Sequence, residues 1–267
     1  MVYADPVPQD LASGEYYDQT AARYYLSPDK LASDYAPARF ERELRLLRRH
    51  CEGGTVLDVG CSTGAFLYEL NRRFPRCYET WGTDVAAPAL DYAESKGVKV
   101  IRGNFLDRDL PEVRFDAVTF WAVIEHLAEP KLFLDKAEAL LKRSGVCFIL
   151  VPNMKSLAFR LLGARYRYVY PQHLNYFTKE TLRLFVQGRF EIIDLRSTHF
   201  NPLVIWQDWR SGGMDVSNAE RAKLLKRTTG YKQNPMMKPA KVVYGLIEKA
   251  LGGLGLGDNL VAVLRKK

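Results

Sequence analysis

Two short stretches hold the groups that can move a proton. Glu125 and His126 stand together in "IEHL" (124–127), and His173 stands in "YPQHLNYF" (170–177) among Tyr166, Tyr168, Tyr170, Tyr176 and Phe177. An imidazole ordinarily titrates at about pH 6.5, so it takes up or releases a proton near neutrality. His173 is the expected proton acceptor or substrate orienter, on a loop over the mouth of a crevice. The alternative is that its ring pins that loop through a backbone carbonyl. His126 is the second candidate, either catalytic, structural or in contact with a ligand carboxylate. His50 and His199 read as a helix-end and a strand-end residue.

A third stretch, "VLDVGCSTGAF" (56–66), runs a strand into a glycine turn and then a helix. A dinucleotide would want G-x-G-x-x-G, with later glycines for the pyrophosphate and for helix packing. Here Ser62, Thr63 and Ala65 break that pattern. Gly60 for the turn, Gly64 for close approach and backbone N–H groups at the helix start suit a carboxylate instead. The loop therefore predicts an amino-acid-bearing nucleoside rather than NAD. Asp84, in "WGTDV", falls at the end of the next strand, where an acid accepts both hydroxyls of a ribose. Val85 would then lie against the base. Asn104 and Phe105, in "RGNFLD", supply an amide and a ring to border an adenine.

These residues need strands that end side by side. The runs "TVLDVG" (55–60), "ETWGTDV" (79–85), "KVIRGN" (99–104), "FDAVTFWA" (115–122) and "GVCFILVPN" (145–153) read as strands buried on both faces. Helical patterns lie between them: "AFLYELNRRF", "APALDYAESKG" closed by Gly97, and "PKLFLDKAEALLKRSG" between Pro130 and Gly145. The alternation predicts right-handed crossovers and a parallel, doubly wound sheet. "FEIIDLRSTHF" (190–200) and "DNLVAVLRKK" (258–267) read as two further strands that can pair antiparallel. A helix over 36–50 places Phe40, Leu44 and Leu47 on one face.

The motif series "VLDVGCSTG", "GTDV", "GNFLD", "FDAVTFWAVIEHLAEP" and "LLKRSGVCFILVPN" resembles class I S-adenosylmethionine-dependent methyltransferases over roughly residues 50–200, with "GDNLVAVLRK" matching their last strand. The resemblance is closest to the branch holding ubiquinone-type O-methyltransferases and natural-product and sugar methyltransferases. It implies a Rossmann-like α/β fold with seven strands in the order 3-2-1-4-5-7-6 and the seventh antiparallel. It also implies S-adenosylmethionine as cofactor, with Asp58, Gly60 and Gly64 shaping the methionine end and Cys61 and Ser62 lining it. Asp84 would hold the ribose, Val85, Asn104 and Phe105 the adenine, and Trp121 would border the cofactor. Ser62 departs from the commoner glycine of that loop. Some ubiquinone-type members carry a second acid three places before the Glu-His pair and are thought to hold a divalent metal there. That place is Ala122, so no metal is expected.

Residues 1–153 carry 19 basic and 23 acidic side chains, and residues 154–267 carry 20 and 8. The surplus in the second part raises RNA as an alternative substrate. The (Asp or Asn)-Pro-Pro-aromatic signature of base amino-methylation is missing, however, and no cysteine is placed for attack on a base. A small-molecule acceptor is expected, methylated on a hydroxyl oxygen. Its remaining rivals are an oxidoreductase and a cofactor-binding module without catalysis. Four cysteines without CxxC spacing, and no secretory or membrane-spanning run, point to a soluble cytoplasmic protein. The expected organisation is an N-terminal lid and first helix (1–50), a core (51–200), an insertion (201–257) and the last core strand (258–267). In the family that the motifs resemble, such an N-terminal segment folds over the cofactor, so Tyr16, Tyr17, Tyr24 and Tyr25 would roof it; the alternative is that they pack on the core. In the insertion, Val242, Val243, Leu246, Ile247 and Leu251 share a helical face that would cap the crevice. Alternatively, residues 239–251 lie on an anionic membrane, with Lys238, Lys241 and Lys249 toward the headgroups.

Overall fold

The structure is a computed structural model that describes residues 2–3, 6–9, 15–21, 23–108, 113–212, 217–233 and 238–267. Its centre is a seven-stranded sheet made of β1 (Gly54–Val59), β2 (Tyr78–Asp84), β3 (Lys99–Arg102), β4 (Phe115–Trp121), β5 (Leu141–Pro152), β6 (Phe190–Thr198) and β7 (Asn259–Lys266). They lie in the order β3-β2-β1-β4-β5-β7-β6. Neighbours are parallel except β7, which runs antiparallel to both β5 and β6. This is the order that the family resemblance implies. Reversing only β7 keeps the carboxyl ends of the other six strands on one edge of the sheet.

The strands form because both of their faces are covered. Leu57, Val118, Phe120, Ile149 and Val151 face one layer of core, while Val56, Ala117, Val146 and Phe148 face the other. Each such Val, Leu, Ile or Phe side chain, fully buried, contributes about 1.5–3 kcal/mol. Helices α1 (Glu15–Ala21), α2 (Pro28–Asp34) and α3 (Glu41–His50) precede the sheet. Leu44 and Leu47 of α3 are buried as expected, with Phe40 packed beside them, but residues 36–40 form turns ahead of the helix. Helices α4 (Ala65–Arg73), α5 (Ala87–Ser95) and α6 (Pro130–Leu140) follow β1, β2 and β4. The helix expected to reach Gly145 ends at Leu140. Leu141 turns extended (φ −70°, ψ 144°), is buried and pairs with Phe115, so β5 begins four residues sooner than its apolar run suggested.

Helix α7 (Leu157–Leu162) follows β5, and α8 (Lys179–Val186) opens with a capping box in which Thr178 and Thr181 each accept the other's backbone N–H. The insertion folds as α9 (Pro202–Ser211), α10 (Asn218–Gln233) and α11 (Lys238–Gly253). The first two reach the loop after β5. Arg167 of that loop forms a buried ion pair with Asp208 of α9, and the Arg221 guanidinium of α10 sits 4.4 Å from the Tyr170 ring centroid. α10 also touches α2, where the Ser33 and Thr229 hydroxyls meet at 3.0 Å.

Helix α11 behaves otherwise. It turns Glu248 toward Arg42 and packs Gly252 on the Ser197 carbonyl, leaving Val242 64%, Val243 58%, Leu246 64% and Ile247 46% exposed. The face expected to cap the crevice is thus turned outward, because the helix is anchored through its other side. Side chains of Lys238, Pro239 and Lys241 lie outside the described residues. Among the described residues, no helix is long and apolar enough to cross a membrane.

Candidate active site

The loop after β1 is latched to the end of β2. Gly60 N–H and Cys61 N–H both donate to the Thr83 carbonyl, at 2.8 and 3.1 Å. Ser62 N–H then donates to one oxygen of Asp84 at 2.8 Å, and Ala86 N–H to the other at 3.0 Å. Two backbone donors hold the carboxylate still at the end of its strand. Gly60 is required, since its φ is +73° and a Cβ there would come within 2.6 Å of Val123. Ser62 takes a left-handed φ of 49°, which explains why a glycine is the commoner choice at this position.

Three expectations change once side-chain directions are known. A Cβ on Gly64 would meet Ala93 at 2.9 Å and Val98 at 3.1 Å, so the close approach it permits is that of α5 rather than of a ligand. Cys61 is buried with its thiol over Gly82, packed in the core under the loop. Phe105 is buried too, with its ring 5.5 Å from Phe133 and 6.4 Å from Phe120 between their centroids, and so it is core rather than crevice wall. Asn104 folds its side-chain oxygen onto the Leu106 N–H and steadies the turn after β3. Val85 is half-buried beside Asp84. Trp121 ends β4 against Phe66 and Phe148.

Asp58 is buried in β1 and accepts a hydrogen bond from the Thr119 hydroxyl at 2.6 Å. Burial pushes its carboxyl up to about 7, the Thr119 bond opposes this, and the neighbouring Asp84 charge adds to it. The hydroxyls of Ser62 and Thr83 and the indole N–H of Trp121 are buried without a hydrogen-bond partner among the described residues. Unsatisfied polar groups gathered at the ends of β1, β2 and β4 fit a polar ligand in this crevice.

Over these strand ends lies α1. Asp18 accepts from the Ala87 N–H at 3.1 Å, Tyr16 accepts from the Gln172 amide at 2.9 Å, and the Tyr17 ring stands edge-on to His126 with centroids 5.7 Å apart. Tyr25 packs on Ala86 and Ala89 at the start of α5.

Beneath Tyr17, the turn after β4 meets the loop after β5. Asn175 donates to the carbonyls of Ile124 and Leu127, and Leu174 N–H to the Glu125 carbonyl at 2.7 Å. These bonds bring His126 and His173 to a centroid distance of 4.6 Å. His126 Nδ1 lies 2.8 Å from the Gln172 carbonyl, and His173 Nδ1 lies 2.8 Å from the Tyr168 carbonyl. A carbonyl only accepts, so each Nδ1 carries the proton and each Nε2 keeps a bare lone pair. Burial lowers both imidazoles, His126 to about 4 and His173 well below its ordinary value, so both rings are neutral at pH 7. Glu125, 1% exposed, is pushed up to about 8 by burial, and its Oε2 lacks a hydrogen-bond partner among the described residues. Tyr168, Tyr170 and Tyr176 surround the His173 ring.

His173 is 4% exposed and in contact with His126. What sequence reasoning missed was the grouping of Glu125, His126 and His173. Its only signal was that both segments follow strands ending on the same edge.

The sheet order is that of a Rossmann-like methyltransferase fold. Residues 33–189 match the family described as a methyltransferase domain, more than half of the chain, and the chain belongs to that family. It is an S-adenosylmethionine-dependent methyltransferase. It is 31% identical over 164 residues to a ubiquinone biosynthesis O-methyltransferase of Bradyrhizobium diazoefficiens, across 58% of this chain and 64% of that protein, just under two thirds of its length. A second protein of that description, from Rhodopseudomonas palustris strain TIE-1, is 29% identical over 234 residues, covering 77% and 86% of the two chains. Among solved structures, an S-adenosylmethionine-dependent methyltransferase from Thermotoga maritima, described as a possible histamine N-methyltransferase, superposes with a TM-score of 0.57 at 17% identity, over 97% of this chain and 98% of that one.

Proposed function

We propose that the protein methylates a hydroxyl oxygen of a small, flat or hydroxylated acceptor lodged between the tyrosine roof and the loop 166–176. The observation that carries this reading is the pair of buried, neutral imidazoles with ring centroids 4.6 Å apart, whose Nδ1–H groups are taken by backbone carbonyls so that each Nε2 keeps a bare lone pair. A lone pair in that position accepts a hydrogen bond from an O–H and orients the oxygen for in-line attack. S-adenosylmethionine supplies a methyl already activated on sulfur. Gly60 and Ser62 would shape the methionine end of its site, with Asp58 beneath them. Asp84, steadied by Ser62 and Ala86, would hold the ribose hydroxyls, and Val85 and Asn104 would flank the base.

With S-adenosylmethionine bound, an imidazole Nε2 would take the proton that the acceptor oxygen gives up as it receives the methyl group. The roof of Tyr16, Tyr17 and Tyr25 keeps water from competing for the methyl group. The relatives described as ubiquinone O-methyltransferases support an oxygen acceptor for this chain. The outward apolar face of α11 favours, as a second feature of this reading, contact with a membrane surface from which an apolar acceptor would be drawn.

Calorimetric titration with S-adenosylhomocysteine tests the cofactor site. Micromolar binding, weakened at least tenfold by Asp84→Ala, is expected. Incubation with deuterated-methyl S-adenosylmethionine and a panel of phenols, catechols, sugars and amines then tests the acceptor by mass spectrometry. Label on amines alone would overturn the oxygen assignment.

A further inference from the structure

We propose that the methyl acceptor carries a carboxylate, and that Arg221 of α10 and Arg39, in the turns ahead of α3, hold it beside Tyr168 and Tyr170. This rests on the methyl-transfer reading above for the place of the acceptor oxygen, at the imidazoles. The insertion brings the two arginines to one place. Helix α10 docks on α2 through the Ser33 and Thr229 hydroxyls, 3.0 Å apart, and through Lys226 and Asp29 at 2.7 Å. So docked, it carries Arg221 to the loop after β5, where the guanidinium lies 4.4 Å from the Tyr170 ring centroid. The same ring has the His173 ring as a neighbour, with centroids 4.2 Å apart. Tyr170 thus touches both groups, and a fixed cation stands one aromatic side chain from an imidazole. Its charge reaches His173, adding to burial and to His126 in keeping that ring neutral.

Arg39 faces the same tyrosines. Burial first, and then the Asp34 charge, pushes the Tyr24 hydroxyl up to about 12, and the Arg221 and Arg39 charges oppose this. At Tyr168, burial and the Asp258 charge raise the hydroxyl, and Arg39, Arg167 and Arg221 oppose them. Arg167 is committed to Asp208 at 2.6 Å. Arg39 is matched less closely. Its acid, Asp34, is 5% exposed and shared with Lys30, and Arg39 Nε stands 3.5 Å from Asp34 Oδ1. Both of those atoms are buried and lack a hydrogen-bond partner among the described residues. A buried guanidinium N–H without an acceptor is costly, and an anionic oxygen would satisfy it.

Guanidinium groups take carboxylates and phosphates alike through paired N–H donors. Asp34 and Asp258 also act on these phenols, and they repel a doubly charged phosphate more than a singly charged carboxylate. The rings of Tyr168 and Tyr170 give the space flat apolar walls, which suit an aromatic body. The acceptor is therefore a hydroxylated aromatic acid, with its hydroxyl at the imidazoles and its carboxylate at the arginines.

The full chain, saturated with S-adenosylhomocysteine, is titrated in a calorimeter with two hydroxylated aromatic acids, 3,4-dihydroxybenzoate and 4-hydroxyphenylacetate, each beside its neutral amide. At least one acid should bind about tenfold tighter than its amide, or better. Arg221→Gln and Arg39→Gln should each cut that preference to less than about threefold, and Arg221→Lys, which keeps the charge, should retain more of it than Arg221→Gln. Each variant is checked for its fold by thermal melting and by its affinity for S-adenosylhomocysteine. Equal affinity for acid and amide in both pairs, or the wild-type preference kept by a folded Arg221→Gln variant, overturns the carboxylate site and leaves the methyl-transfer reading standing. That reading fails separately, if no acceptor takes label from deuterated-methyl S-adenosylmethionine while the acids still bind in preference to their amides.

Discussion

Replacing Asp58 by asparagine should make the stability of this protein less sensitive to alkali. The carboxyl is 3% exposed in β1, inside the sheet, and its pKa is pushed up to about 7 by burial first, against the Thr119 hydrogen bond and with help from the Asp84 charge. In the unfolded chain an aspartate titrates at about 3.9. The folded state therefore holds this proton more tightly than the unfolded state. Its contribution to stability is complete below about pH 4 and is lost as pH rises through about 7. With each pKa unit at about 1.4 kcal/mol, the loss between pH 5 and pH 8.5 comes to about 3 kcal/mol as an order of magnitude. Asparagine keeps the shape and an acceptor for Thr119 but has no proton to lose. Urea unfolding of wild type and Asp58→Asn at pH 5 and pH 8.5, with S-adenosylhomocysteine absent, reads the difference directly. The stability of the variant relative to wild type should rise by about 3 kcal/mol between the two pH values. A difference that does not change with pH would refute the claim that this carboxyl is held protonated by its surroundings.

Ser62→Gly should stabilise the chain by about 1 kcal/mol in the same assay, since it removes a Cβ from a left-handed residue and a buried hydroxyl without a partner among the described residues. Gly82→Ala should cost about 1–3 kcal/mol, because its Cβ would come within 2.6 Å of the Cys61 sulfur, and Cys61→Ala in the same chain should recover most of that loss. The exposed face of α11 should carry the protein onto vesicles of anionic phospholipid in a sedimentation assay, and Val243→Asp with Leu246→Asp should abolish this without changing S-adenosylhomocysteine affinity. Equal sedimentation of wild type and the double variant would remove the membrane reading of that helix.

The strands were legible because a parallel sheet covered on both faces writes its strands as largely apolar runs, and "TVLDV", "FDAVTFW" and "VCFILVP" are such runs, broken only by Thr55, Asp58, Asp116 and Thr119. The boundary at Leu140 and Leu141 was not, since two adjacent leucines satisfy the end of a helix and the start of a strand equally well. In the glycine loop, the backbone roles of Gly60, Ser62 and Asp84 follow from where a strand ends. The outward or inward sense of Cys61 does not, because it depends on the left-handed turns at Gly60 and Ser62 on either side of it. The resemblance assigned Cys61 to a ligand, and the residues and the resemblance both assigned Phe105 to one, whereas their side chains pack on Gly82 and Phe133.

The chemistry at the histidines shows the same division more sharply. Residue type and position named His126 and His173, but what each ring can do depends on its tautomer. The tautomers are set by backbone carbonyls that the chain brings within 2.8 Å, one of them 46 residues away. No periodicity records a contact of that kind. Had either ring donated through Nε2 instead, the crevice would face a donor, unable to take a proton from a hydroxyl. The bonds from Asn175 and Leu174 that dock the two segments therefore decide the chemistry as firmly as the histidines themselves.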